Sequence, residues 1–377
     1  MLIYSLIVCL SLSLAWFYVW ERLIETATLA EPLRQAVLGF FVIAYGLQAA
    51  RWLLFRIKGD LSWLIGPAYF SFGLLSHLFL ATLFKDFLYQ IWWWWFPQNF
   101  EVHQAWVNSW VSYGVFFSCL GASLWGAQNA YEGPEVRRVV LDATEGRAPT
   151  RVLKLVQISD LHVGPIIKKS YVENIVRLVN AEKPDVIAVT GDIADGKPEF
   201  LEEDMDPLER LEAPLGIYYV TGNHEYYWNV DLWLHAVKCL GMKVLFNSGE
   251  LLPGPGRPIW IAGVPDISAR AIRPDHHHDP VLALMGAPVG SFNILLAHQP
   301  KSVLTAEPAG AHLVLSGHTH GGQYFPFTLV VGWFNVYVKG LYRHGRAWIY
   351  VNLGTGFWGP PLRLGATSEI TSFEIRL

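Results

Sequence analysis

Leu153-Lys154-Leu155-Val156-Gln157-Ile158-Ser159-Asp160-Leu161-His162 reads as a short, largely apolar strand that ends on two donor side chains. The pattern recurs along the chain. Val186–Thr190 is an apolar run ending at Gly191-Asp192, and Ile217–Val220 is another, ending at Gly222-Asn223-His224-Glu225. Further runs at Ile259–Ala262, Phe292–Ala297, Leu313–Leu315, Ala347–Leu353 and Glu369–Arg376 read as strands, with His298 and Gly317-His318-Thr319-His320 just beyond two of them. Between the first strands the period changes to helical. Ser170 and Glu173 have capping-box spacing, Ile175, Val176 and Val179 follow, and Pro184 closes the helix. Asp231–Leu240 is a second helix, stopped by Gly241. Alternating strands and helices followed mostly by strands predict an α/β sandwich. Its ligands belong at the carboxyl ends of strands.

Taken singly, each donor has a bland reading. An Asp or Asn after a strand is commonly a turn residue, and a lone His is commonly a satisfied polar group. Five donor-bearing strand ends in one domain are a different matter. Carboxylate, imidazole and amide donors together suit Mn, Fe or Zn better than Ca or Mg.

The ordered set Asp160-x-His162, Gly191-Asp192-x-x-Asp195, Gly222-Asn223-His224-Glu225, His298 and Gly317-His318-x-His320 resembles the calcineurin-like metallophosphoesterase superfamily. The longer string Gly317–Gln323 and Pro361-Leu362-Arg363-Leu364-Gly365 look like a bacterial phosphodiesterase branch, often exported or membrane-attached. The resemblance implies a sandwich of two mixed β-sheets flanked by helices, and two divalent cations with Mn favoured. One cation would be held by Asp160, His162, Asp192 and His320. The other would be held by Asp192, Asn223, His298 and His318, with Asp192 bridging. A hydroxide shared between the cations would attack the phosphorus. His224, left free of metal, would act on the leaving group, with Asp195 accepting from its other ring nitrogen. For Asp195 the plainer alternative is a turn-forming residue in Asp195-Gly196.

Weaker signals surround this set. Glu225 reads as a carboxylate orienting the loop or a ligand. Tyr226, Tyr227 and Trp228 are as well suited to core packing as to a substrate wall. Arg363 has the reach for a phosphate, though a surface ion pair is the plainer reading. His276-His277-His278, between Pro274 and Pro280, reads as a loop with adventitious metal affinity. Gly321-Gly322 suits a tight turn beside the metals.

The first 130 residues have another character. Hydrophobic residues make up 52% of the chain, which has 17 Trp, and both are concentrated there. Leu2–Trp20, Leu33–Phe55, Leu61–Phe84 and Trp106–Ala127 each approach the ~20 residues needed to cross a bilayer. We therefore expect an all-α transmembrane anchor of about four helices over residues 1–130, a linker over 131–150 carrying one short strand, and a catalytic domain over 151–377. Ile91–Phe96, with four consecutive Trp, reads as an interfacial belt. His77 falls inside the third segment, where a bond across helices or a place near a headgroup is expected. Arg51, Arg56, Lys58, Arg137, Arg138 and Arg147 on one side outweigh Arg22, Arg34 and Lys85 on the other. The positive-inside rule then puts the catalytic domain in the cytoplasm of a multi-pass integral membrane protein.

Composition removes other classes. A net charge of −4 gives no basic footprint for nucleic acid. Three cysteines without a Cys-x-x-Cys pair exclude zinc-ribbon and thioredoxin-like readings. The expectation is a membrane-anchored hydrolase of phosphodiester or pyrophosphate bonds, with a lipid-linked phosphate ester among the candidate substrates and membrane lipid as its neighbour. The alternatives are a phosphoprotein phosphatase, or a membrane sensor or scaffold with an inactive domain.

Overall fold

The computed structural model describes residues 2–25, 31–54, 62–144 and 146–377. They fall into two units. One comprises Met1–Gln128 with Gly359–Leu362, the other Asn129–Trp358 with Arg363–Leu377.

The first unit is helical: α1 (Leu2–Val19), α2 (Glu31–Leu54), α3 (Ser62–Trp95) and the start of α4 (Pro97–Glu132). Its core packs Trp16, Val19, Leu23, Phe41, Leu74 and Leu78. Among the described residues, one helical stretch, Trp63–Trp95, is long and apolar enough to cross a membrane, with mean hydropathy 1.5. The other expected spans do not reach that standard there. α3 also runs past the expected end at Phe84, so Trp93, Trp94 and Trp95 are exposed on its last turn. His77 Nδ1 lies 2.7 Å from Ser123 Oγ, a bond between α3 and α4. The loop Arg56–Asp60, used above for orientation, lies outside the described residues.

The second unit is a two-sheet sandwich. Its strands are β1 (Glu135–Asp142), β2 (Val152–Ile158), β3 (Val186–Val189), β4 (Ile217–Tyr219), β5 (Lys243–Val244), β6 (Ser248–Leu252), β7 (Ile259–Gly263), β8 (Phe292–Leu296), β9 (Leu313–Ser316), β10 (Gly340–His344), β11 (Ala347–Val351) and β12 (Glu369–Arg376). One sheet has the order β1-β12-β2-β3-β4-β5, the other β10-β11-β9-β8-β7-β6. Both are mixed. β2 through β5 run parallel while β12 opposes β2. β11, β9, β8 and β7 run parallel between antiparallel edges β10 and β6. Glu135–Asp142, inside the stretch read as a linker, pairs with β12.

Alternation along each strand builds the layers. Leu153, Leu155, Val186 and Ala188 face Ile294, Leu313, Leu315 and Tyr350 between the sheets. Val156, Ile158, Ile187 and Val189 point the other way, onto Val172, Ile175 and Val179 of α5 (Lys169–Ala181). Each fully buried aliphatic side chain contributes about 1.5–3 kcal/mol. The remaining helices are α6 (Pro198–Met205), α7 (Asn223–Tyr227), α8 (Val230–Cys239), α9 (Pro280–Leu284), α10 (Val303–Ala306) and α11 (Phe327–Val330). Ala283, Leu284, Val303 and Ala306 of α9 and α10 cover the outer face of the second sheet.

The capping box expected at Ser170 does not form. α5 begins two residues earlier than a Ser170 cap would give, at Lys169, and its N-cap, Lys168, makes no side-chain cap. The Asp204 carboxylate instead accepts from Lys169 N at 3.0 Å.

Candidate metal centre

All five donor-bearing turns follow strands. Asp160 and His162 follow β2, Asp192 follows β3, Asn223 opens α7 after β4, His298 follows β8, and His318 and His320 follow β9. Parallel strands deliver the first three turns from one sheet and the other two from its partner. Backbone bonds weld them together: Asp160 N donates to Gly191 O at 2.9 Å, His162 N to Asp192 O at 3.1 Å, and Gly317 N to His298 O at 2.9 Å.

The local backbone is strained where the donors sit. Asp160, His162, Asp192, His318 and His320 all have left-handed φ, between 48° and 71°. Such conformations cost about 1–3 kcal/mol each and persist where surroundings impose them. Two glycines make the close approach possible. A Cβ on Gly222 would overlap the Asp192 carboxylate, and one on Gly317 would overlap Asp160 and Ser159.

The side chains converge on two foci. His162 Nε2 faces His320 Nε2 at 3.1 Å, with Asp160 Oδ1 3.4 Å from the latter. His318 Nδ1 faces His298 Nε2 at 3.2 Å, and Asp192 Oδ2 is 3.2 Å from that nitrogen. The same Asp192 oxygen is 4.0 Å from His162 Nε2, so it stands between the foci. Asp160–His162–His320 and Asp192–His298–His318 are each compact enough for one ion. A third grouping, His162–Asp192–His224, shares members with both.

The donor chemistry fits cations. His298 Nδ1 is 2.7 Å from the Thr190 carbonyl, so it carries the proton and leaves Nε2 a lone pair. Imidazole lone pairs aimed at one another beside carboxylates need a positive charge between them. Asn223 Oδ1 is buried with no hydrogen-bond partner, although such acceptors are normally satisfied. A divalent ion at each focus would satisfy all of these atoms.

His224 and Asp195 form a separate pair. His224 Nδ1 lies 2.5 Å from Asp195 Oδ1, and its Nε2 is 3.8 Å from Asp192 Oδ2. Burial works to lower the pKa of His224. The charge of Asp192 and the hydrogen bond and charge of Asp195 outweigh it and raise it to about 9. Asp195 does more than expected, because its Oδ2 lies 3.2 Å from His162 Nδ1. Burial works to raise Asp195, but the two imidazoles, His162 foremost, hold it well below the usual carboxylate range.

Glu225 is fully buried and accepts from Gly222 N at 2.6 Å, Ile193 N at 2.8 Å and Asp192 N at 3.2 Å. It therefore ties the Asp192 turn to the Asn223 turn. Burial, then the charge of Asp192, raises it to about 7.

Arg363 departs from both of its readings. It is 1% exposed, so it makes no surface ion pair. Its guanidinium donates to the carbonyls of Leu353 at 2.8 Å, Gly354 at 3.2 Å and Gly356, and lies 3.1 Å from His320 Nδ1. It braces the loop behind His320. Of the aromatic trio, Tyr226 is buried with its hydroxyl 3.0 Å from His276 Nδ1. Tyr227 alone is exposed beside His224, with ring centroids 5.2 Å apart. Trp358, 55% exposed, also lies beside the His224 ring at 5.8 Å, and no sequence signal picked it out. His276 and His278 are taken up structurally, the latter through the Pro265 carbonyl at 2.9 Å, so the three histidines do not form one metal-binding cluster.

Residues 153–322 match the family described as calcineurin-like phosphoesterase. A metallophosphoesterase of Campylobacter jejuni is 33% identical over 383 residues, spanning 100% of this chain and 98% of that one. The chain belongs to the calcineurin-like metallophosphoesterase family. A Helicobacter pylori metallophosphoesterase is 33% identical over 92% of this chain and 91% of its own. The zebrafish "Transmembrane protein with metallophosphoesterase domain" is 37% identical over 67% of this chain and 60% of its own. The chain thus spans about three fifths of that relative's length. These likenesses agree with the donor set: a metallophosphoesterase fold carrying clustered metal-ligating side chains.

Proposed function

We propose that this chain is a membrane-anchored phosphoesterase that uses two divalent cations to hydrolyse phosphodiester or pyrophosphate bonds. The observation that carries the reading is the pair of foci flanking Asp192, each lined by two facing imidazoles and a carboxylate. Asp160, His162, Asp192 and His320 would hold one cation, and Asp192, Asn223, His298 and His318 the other. Mn is favoured, with Fe and Zn also suited to this donor mixture. When bound, such a pair supplies concentrated positive charge for an in-line displacement at phosphorus.

The remaining chemistry belongs to the chain. Asn223 contributes a neutral oxygen, so the site keeps net positive charge for a phosphate. Asp195 anchors His224 Nδ1 and so turns Nε2 toward the site mouth. Protonated there, His224 delivers its proton to the departing oxygen. Tyr227 and Trp358 flank that imidazole and limit the leaving group's approach. Glu225 fixes the relative position of the Asp192 and Asn223 turns through three backbone donors.

Membrane anchoring is supported by the apolar helix Trp63–Trp95 and by the exposed Trp at its end. The excess of Lys and Arg supports a cytoplasmic catalytic unit. A bilayer-held site meets lipid-linked phosphate esters at high local concentration, and these are our substrate class. The test is purified full-length protein with Mn, offered bis(p-nitrophenyl) phosphate, a pyrophosphate diester and a phosphoserine peptide. Turnover of the first two that chelation abolishes is expected. Turnover of the peptide alone would contradict the diesterase reading.

A further inference from the structure

The segment between His320 and Lys339 has no charged residue. It leaves the metal-binding loop at Gly321-Gly322 and forms α11 and one 3₁₀ turn, Val331–Trp333. It then returns to where it began, because Thr319 Oγ1 donates to Val338 O at 2.6 Å. It is thus a closed excursion from the turn that carries His318 and His320. Leu329 (67% exposed), Trp333 (80%), Phe334 (82%), Phe327 and Val336 all face solvent. Such a cluster of large apolar side chains marks an interaction surface on a soluble domain.

Its surroundings identify the occupant. No Asp or Glu occurs from Pro308 to Ser368, while Lys339, Arg343 and Arg346 are exposed just beyond the segment. The next acidic residues along the chain, Glu307 and Glu369, have partners of their own. Glu307 faces Arg346 at 3.9 Å, and Glu369 is buried under Tyr350 and Thr371. An aromatic and aliphatic tip with a cationic flank is the composition that enters the headgroup layer of an anionic bilayer. The excursion is also rigidly joined to the site mouth. Gln323 Nε2 donates to Trp358 O, Trp358 N donates to Gln323 Oε1, both at 2.8 Å, and the Trp358 indole stands beside His224.

We propose that Phe327–Val336 is a second membrane contact, which dips into the headgroup layer of an anionic bilayer and holds the metal site against it. The inference rests on the anchored-phosphoesterase reading. It sharpens the substrate to a phosphoester still embedded in the bilayer, presented along the side of the site bordered by Trp358.

The test uses the full chain in vesicles of phosphatidylcholine with and without phosphatidylglycerol. On a background with Cys9, Cys119 and Cys239 replaced, nitroxide labels go on Leu329→Cys and Phe334→Cys. Val289→Cys, fully exposed before β8, is the control. Collisions with oxygen and with an aqueous nickel chelate are compared. At 329 and 334 the oxygen-to-nickel ratio should rise roughly tenfold over the control, and more so in anionic vesicles. Ratios equal to the control overturn the proposal. So does spin–spin broadening at 329, which would mean that a second copy covers the patch. A shift unaffected by phosphatidylglycerol overturns the role of the cationic flank. The paired variant Trp333→Glu, Phe334→Glu should hydrolyse bis(p-nitrophenyl) phosphate within about twofold of wild type, yet lose roughly tenfold on a phospholipid diester in the same vesicles. Equal losses on both overturn presentation by the segment. If wild type hydrolyses neither, the phosphoesterase reading fails while the labels still decide docking. If the chain does not float with vesicles, anchoring itself fails.

Discussion

Replacing His224 and Asp195 separately dissects the leaving-group chemistry. His224→Ala removes the positioned proton donor, a change worth ~10²–10⁴ in rate for a leaving group that needs protonation. Asp195→Asn keeps the shape but exchanges a charge-assisted hydrogen bond for a neutral one. The difference between about 1.5–3 and about 0.5–1.5 kcal/mol gives a loss of about tenfold through His224 alone. The 3.2 Å approach of Asp195 Oδ2 to His162 Nδ1 adds a separate effect. Weakening the outer partner of a metal-binding imidazole costs about 10–100-fold in metal affinity. Asp195→Asn should therefore be slower at saturating Mn and also need more Mn to reach that rate. His224→Ala should need no more Mn than wild type. The assay is kcat against Mn concentration for p-nitrophenyl and alkyl diesters. Both losses in kcat should shrink for p-nitrophenolate, which leaves without a proton. At saturating Mn the double variant should be little worse than His224→Ala, because the pair acts as a unit. Equal losses for the two leaving groups would refute general-acid action and point to phosphate binding. Loss of a metal in His224→Ala would refute its exclusion from the ligand set.

Arg363→Met should leave the buried Leu353 carbonyl without its donor, while Glu369 N still serves Gly354 O and Ser368 Oγ still serves Gly356 O, costing roughly 1–3 kcal/mol. Thermal unfolding of the catalytic unit should then fall by roughly 2–12 °C, and an unchanged Tm would show that the brace is dispensable. A reporter active only in the cytoplasm, fused after Leu377, should work, and a periplasm-only reporter should not. The reverse pattern would overturn the orientation taken from the basic residues.

The donors that converge on the two foci were legible as a set because each follows an apolar run, and the parallel strands bring such positions to one rim. Asp160, Asp192 and His298 could be picked out without knowing which strands pair. The residues that fell short are those whose role depends on depth. Arg363 looks like a surface cation in sequence, yet the tail folds it behind His320, where backbone carbonyls replace water. Trp358 lies far along the chain from His224 and approaches it only through the Gln323 bonds. Asp195 was legible as a partner of His224, but its second contact depends on the turn at His162. Edge strands β6 and β10 were missed because Ser248–Leu252 and Gly340–His344 are only half-buried and lack an apolar run. The helical half was legible as apolar helices. Among the described residues one of them, Trp63–Trp95, meets the length and hydropathy of a span.

The central claim is that two cations share Asp192. Full-length protein, stripped with chelator and reloaded with Mn, should contain about two equivalents by elemental analysis. The Asp192→Ala variant should lose both, since its carboxylate stands between the two foci. One equivalent in the wild type, or two retained in Asp192→Ala, would contradict the account.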